Sequence, residues 1–181
     1  MTLYIWAQIV GLTGYLFYIR APSFQHREDI LKHEGSACLI LALQWALLNQ
    51  PSLVITNTLI GLAALTALSA LSQNRKNTLL ALIYAAAFMA FAESWENTTI
   101  DYLAASSLML HITAKRFNDL VKLRLCGIGG GSLLVIAGTL AASCPAMIFN
   151  VLFVAGHIRK LAELQSASPS VPGIHPAIKN T

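Results

Sequence analysis

Charge is scarce in this sequence. Asp, Glu, Lys and Arg make up 11% of its 181 residues, against roughly a quarter of an ordinary soluble domain. Hydrophobic residues supply 56%, so the simplest expectation is one membrane-embedded domain and not a water-soluble globule. Cysteine is equally sparing. Cys38, Cys126 and Cys144 are odd in number and show no CxxC spacing, which excludes a disulfide framework and a structural metal site and leaves packing as small hydrophobes. No HExxH or GxSxG occurs, and no pair of carboxylates falls inside the apolar segments. An intramembrane enzyme is therefore not expected, and no catalytic, cofactor-binding or metal-binding residue is assigned. The net charge of +4 comes from small dispersed clusters, which argues against a nucleic-acid face. The N-terminus turns apolar almost at once without a basic leader, the pattern of a first membrane helix and not of a cleaved signal peptide.

Bases are also missing locally, and that absence carries topology. Seven apolar segments are expected: Thr2 to Ile19, Gly35 to Asn49, Ser52 to Ser72, Asn77 to about Glu93, Ile100 to Ala114, Leu125 to Ser143, and Pro145 to about His157–Lys160. Asn49-Gln50-Pro51-Ser52 breaks the second from the third and makes them a helical hairpin. Segments 35–49 and 100–114 are short for a crossing of ~20 residues; either terminal bases such as Lys32 snorkel to extend them, or one short pair is re-entrant. Arg20, Arg27, Lys32, Arg75, Lys76, Lys115, Arg116, Lys122, Arg124, Arg159, Lys160 and Lys179 all fall in alternate loops or the tail. The intervening loops Asn49–Ser52, Ser94–Asp101 and Ser143–Pro145 hold no Lys or Arg. Cytoplasmic loops collect such bases, so the expected topology has the N-terminus outside and the C-terminus in the cytoplasm of a multi-pass inner (plasma) membrane protein. Residues 162–181 are Ser- and Pro-rich and read as a disordered cytoplasmic tail.

Two segments resemble each other. Pro51-Ser-Leu-Val-Ile-Thr-Asn57 and Pro145-Ala-Met-Ile-Phe-Asn150 each begin with a helix-starting Pro and reach an Asn six or five residues later. Each lies in the last helix of a three-helix set with a basic first loop and a tight uncharged second turn. The expected fold is all-α: two parallel three-helix repeats, 1–73 and 100–161, joined by a linker helix, 77–95, within a transmembrane domain spanning 1–161. Parallel repeats of this kind are a transporter pattern.

Ile5-Trp6-Ala7-Gln8-Ile9-Val10-Gly11, the charged Gln25-His26-Arg27-Glu28-Asp29, Trp45, and Met147-Ile148-Phe149-Asn150-Val151-Leu152 resemble the YgjV-like family of bacterial inner-membrane proteins, up to about Leu161. That family in turn resembles the PQ-loop and SWEET superfamily. The resemblance implies that Asn57 and Asn150 stand where SWEETs place an Asn facing the solute pocket. The chain departs from the superfamily in having no Pro-Gln pair late in the first helix, since Pro22 lies past its end and precedes Ser23.

The candidate pocket residues are Asn57, Asn150, Trp45 and Gln8. A carboxamide facing lipid is costly, so each Asn should face the bundle interior, either to bind a solute or to hydrogen-bond a neighbouring helix. Trp6 and Trp45 suit a headgroup belt, and Trp45 facing inward could instead stack on a solute. His111 and His157 invite a proton relay, but no carboxylate is expected near a helix centre to partner them, so packing is the expectation. Gly127 and Gly131 form a GxxxG pair for close helix approach and not a nucleotide loop. The functional expectation is a SWEET-like facilitator of a small polar solute in the lipid bilayer; the alternative is a non-transporting structural or assembly partner. Small-residue faces would allow a homo-oligomer without singling out an interface.

Overall fold

The computed structural model describes residues 3–94, 98–140 and 144–167, without the side chains of residues 90, 91, 93, 94, 144 and 167. It is helical, with α1 at Leu3–Arg20, a 3₁₀ turn at Ala21–Ser23, α2 at Arg27–Leu47, α3 at Pro51–Leu68, α4 at Gln73–Ser94, α5 at Thr99–Arg116, α6 at Leu120–Leu140 and α7 at Cys144–Ala167. The seven expected segments are therefore seven helices, but their bounds differ in an instructive way. α2 begins eight residues before the expected start at Gly35, so Arg27, Lys32 and Glu34 are helical and not in a loop. Glu28 and Asp29 in its first turn suit the positive end of the helix macrodipole. At 21 residues, α2 is about 31 Å long, enough for the ~30 Å hydrocarbon core. α5 gains a residue before Ile100 and two after Ala114. α7 runs on to Ala167, past the expected end near Lys160 and into the expected tail. The rest of that tail lies outside the described residues, as do Trp95, Glu96 and Asn97.

Local chemistry explains where helices stop and start. The α2–α3 break is a left-handed cap. Asn49 takes φ 55°, while Gln50 N–H bonds Trp45 O at 2.9 Å and Asn49 N–H bonds Ala46 O at 3.1 Å. This is the Schellman pattern, with Asn supplying the left-handed residue and Pro51 opening the next helix. α5 opens on a capping box. Thr98 Oγ1 accepts from Asp101 N–H, and Asp101 Oδ2 accepts from Thr98 N–H at 3.2 Å. Asp119 starts α6 by accepting from Val121 N–H at 2.7 Å.

The helices form a closed ring with one outlier. α1 packs on α2, α2 on α3, α3 on α5, α5 on α6, α6 on α7, and α7 returns to α1. α4 packs on α3 and α5 and is tied to α5 by Tyr84, whose hydroxyl donates to Met109 O at 2.9 Å and also meets Thr113 Oγ1. Glycines let the ring close tightly. A Cβ on Gly35 would sit 2.8 Å from Ala64 Cβ, and one on Gly61 would sit 2.7 Å from the Leu39 side chain, so α2 and α3 meet almost backbone to backbone.

Candidate functional site

The polarity of this bundle is inverted. Leu12, Leu16, Leu43, Leu65, Leu82, Phe88, Met89, Leu125, Ile136 and Ile158 are exposed on its outside. Glu34, Gln44, Thr56, Ser107, His111, Lys115, Arg124, Asn150 and His157 are buried within it. Water would reverse that arrangement; lipid favours it, because apolar side chains lose nothing by facing hydrocarbon and polar ones need partners inside. Two helices, α3 and α6, are also long and apolar enough to cross a membrane by composition alone.

Within the ring lies a cavity of about 80 Å³, lined by residues of α1, α2, α3, α5, α6 and α7. That is room for several waters. Three of the four expected pocket residues meet there: Trp45, Asn57 and Asn150, joined by Thr56 and Tyr15. The fourth, Gln8, is half-buried on α1 and is not among the lining residues. The two Asn side chains are held alike. Asn57 Nδ2 donates to Leu53 O at 2.9 Å, and Asn150 Nδ2 donates to Ala146 O at 2.7 Å, each four residues back on its own helix. This fixes the amide nitrogen against the helix and turns the carbonyl oxygen outward from it. Asn150 Oδ1 is buried with no partner among the described residues, an acceptor available to a ligand donor. Gln44, one residue from Trp45, instead lies over Gly11, where any Cβ would collide with its amide. Trp6 is exposed on α1, as expected of a belt residue.

An aromatic floor bounds the cavity. Tyr15 stacks on Phe149 at 4.5 Å, and Tyr18 stacks on Phe153 at 4.0 Å. Phe153 is fully buried and meets His157 edge-on at 4.5 Å and His111 at 6.1 Å. α7 thus carries, on one face at helical spacing, Asn150 at the cavity, Phe153 at the floor and His157 beyond it. α2 repeats the arrangement, with Cys38 lining the cavity and Glu34 one turn further on.

Beyond the floor is a charged layer. Glu34 of α2 accepts from His111 Nδ1 of α5 at 2.8 Å through Oε1, and its Oε2 pairs with Lys115 Nζ, one turn along α5. All three side chains are essentially inaccessible to solvent. This corrects the expectation that no carboxylate partners the histidines: His111 has one, while neither ring nitrogen of His157 has a partner among the described residues. Glu34 was expected in a loop; the early start of α2 carries it into the bundle. Arg124 of α6 donates to Pro22 O at 3.0 Å and Phe24 O at 2.7 Å. Arg27 of α2 donates to Phe117 O at 2.8 Å and Lys115 O at 2.9 Å. Lys115 and Arg124, expected as loop bases, are therefore buried, structured cations. The glycines of α6 make room for the imidazoles: a Cβ on Gly127 would come 2.9 Å from His157 Nε2, and one on Gly130 would come 2.8 Å from His111 Nε2. Gly131 meets Val154 and Phe153 in the same way. The GxxxG pair works in packing, as expected.

An apolar exterior around a ring of helices, with a mostly apolar cavity into which two Asn side chains reach and a buried ionic layer beyond it, defines a helical integral membrane protein. The chain belongs to the Imp-YgjV family, described as a bacterial inner membrane protein, which matches residues 5–168. No curated protein and no solved structure matches it.

Proposed function

We propose that the chain is a SWEET-like facilitator that carries a small polar solute, does no covalent chemistry, and binds its cargo between Asn57 and Asn150. The observation that carries this reading is the meeting of those two side chains and Trp45 on one cavity, with both amides held by the same backbone bond. The helix contacts support a repeat origin. If α1, α2 and α3 correspond to α5, α6 and α7, then α1 on α2 matches α5 on α6, α2 on α3 matches α6 on α7, and α3 on α5 matches α7 on α1. Two parallel halves about an axis normal to the membrane would produce that pattern, with α4 as the linker. The cavity volume points to a solute of few heavy atoms. The one-sided bases support an outside N-terminus and a cytoplasmic C-terminus.

Uptake by proteoliposomes across a panel of small amides, amino acids and polyols tests the reading. Asn57→Ala and Asn150→Ala should each lower uptake of the transported member by about 2- to 10-fold, the loss of one hydrogen bond to the solute. Unchanged uptake by well-folded variants, or no uptake of any panel member by the wild type, would leave the alternative, a non-transporting structural or assembly partner.

A further inference from the structure

The charged layer does more than fill space. Every polar tie named in it bridges helices 1–3, with their 3₁₀ turn, to helices 5–6. Glu34 reaches His111 and Lys115. Arg27 reaches the carbonyls that end α5. Arg124 reaches the carbonyls around the 3₁₀ turn. The ties gather at the end where the bases lie, while the cavity lies towards the base-free end. The layer therefore closes one side of the molecule.

At its centre is a single ion pair. Glu34 is the one buried carboxylate among the described residues, and the buried cations of the layer are Lys115 and Arg124. Arg124 is held by two carbonyls, with its Nε unpartnered among the described residues, and Lys115 is the cation paired with Glu34. An ionised carboxylate only accepts, so His111 must donate from Nδ1, and the neutral ring then carries its lone pair on Nε2. That nitrogen is buried and has no partner among the described residues. Imidazole is the side chain whose charge changes near neutral pH. His157 of α7 lies within coulombic range of Glu34, Arg124, His111 and Lys115; Tyr18 of α1 and Cys38 of α2 lie within range of Glu34, and Glu163 of α7 of Arg124. Among the described residues none but Glu34 stands there as a buried anion, so no second carboxylate is there to absorb an added positive charge.

We propose that His111 is a proton-binding site that controls a latch between the two halves of the ring. A proton from the aqueous phase at the basic end forms an N–H bond at Nε2. The ring becomes an imidazolium, and Glu34 then faces two cations at once, Lys115 and His111. The uncompensated charge, held out of water, drives the layer to admit solvent and the basic end to part. Loss of the same proton restores the balanced pair and closes the latch. Its use, coupling a proton to solute movement, rests on the carrier reading, but the latch itself needs no solute and is tested without one.

The full chain is placed in lipid nanodiscs with its native cysteines replaced by alanine. Spin labels are attached at K32C and K122C, on exposed positions of α2 and α6. Distances between the labels are then measured from about pH 8 to about pH 5, the window in which an imidazole titrates. The wild-type background should gain a longer-distance component on acidification. H111Q, neutral at every pH, should keep the alkaline distribution, and H157Q should keep the response. A wild type without a pH response, a response that survives H111Q, or one abolished by H157Q alone would overturn the proposal. Should H111Q fail to fold, labelled-histidine NMR on the wild type decides: His111 titrating in step with the distance change supports the latch, and His111 staying neutral throughout overturns it. Failure of the Asn57 and Asn150 uptake test would sink the carrier while leaving these outcomes as they stand.

Discussion

Glu34 shows how one side chain can organise a bundle. It is buried to 2% exposure and holds an imidazole and an ammonium from another helix at its two oxygens. Removing it would strand Lys115 as an unpaired buried cation. Glu34→Ala should therefore lower stability by about 3–5 kcal/mol, the cost of breaking a buried pair from one side. Glu34→Met combined with Lys115→Met, which removes both charges and keeps the volume, should recover most of that loss. Thermal unfolding of the purified variants checks both; a single variant as stable as the wild type would show that Lys115 finds another partner. The same logic explains why α6 is rich in glycine. Its missing Cβ atoms are the volume occupied by two histidine rings and Phe153, and that role follows from the facing helices and not from α6 itself.

At the scale of elements, the sequence marked helix ends well where backbone chemistry sets them. Asn49-Gln50-Pro51 is a break because Pro51 cannot continue α2 and Asn tolerates the left-handed cap. Asn49→Val should destabilise the α2–α3 hairpin by about 1–2 kcal/mol, since a β-branched residue resists that conformation, while Asn49→Gly should be neutral or better; chemical denaturation of the two variants distinguishes them. The start of α2 was not legible in the same way. Arg27, Glu28, Asp29, Lys32 and Glu34 look like a solvated loop when hydropathy alone is read, and only their spacing on a helix, with Glu34 and Cys38 one turn apart, turns Glu34 inward. Of the four residues expected at a pocket, Asn57 and Asn150 drew notice because they recur after matching prolines, and both line the cavity. Trp45 was readable as an anchor or as a wall, and only the packing of α2 against α1 and α3 places it on the cavity. Gln8 carried no comparable signal, and its place on α1 puts it away from the lining. Lys115 and Arg124 read as topology signals and are also structural ions, a double role that counting bases cannot reveal.

For the whole molecule, the bases and the odd number of helices together predict termini on opposite faces of the membrane. Reporter fusions at residues 1 and 181, one active only in the cytoplasm and one only outside it, should give opposite signals at the two ends; matching signals would refute seven crossings. The hollows along α6 have a further mechanical consequence. His157 sits in the one at Gly127, His111 in the one at Gly130, and Val154 with Phe153 in the one at Gly131. α6 is thus a toothed rod meshed with α5 on one side and α7 on the other. It cannot turn about its own axis without evicting both imidazoles, so a rotation of α6 would have to carry α5 and α7 with it. The other contacts of that group are with α1 through α7 and with α3 through α5, and α4 rides on the seam between α3 and α5.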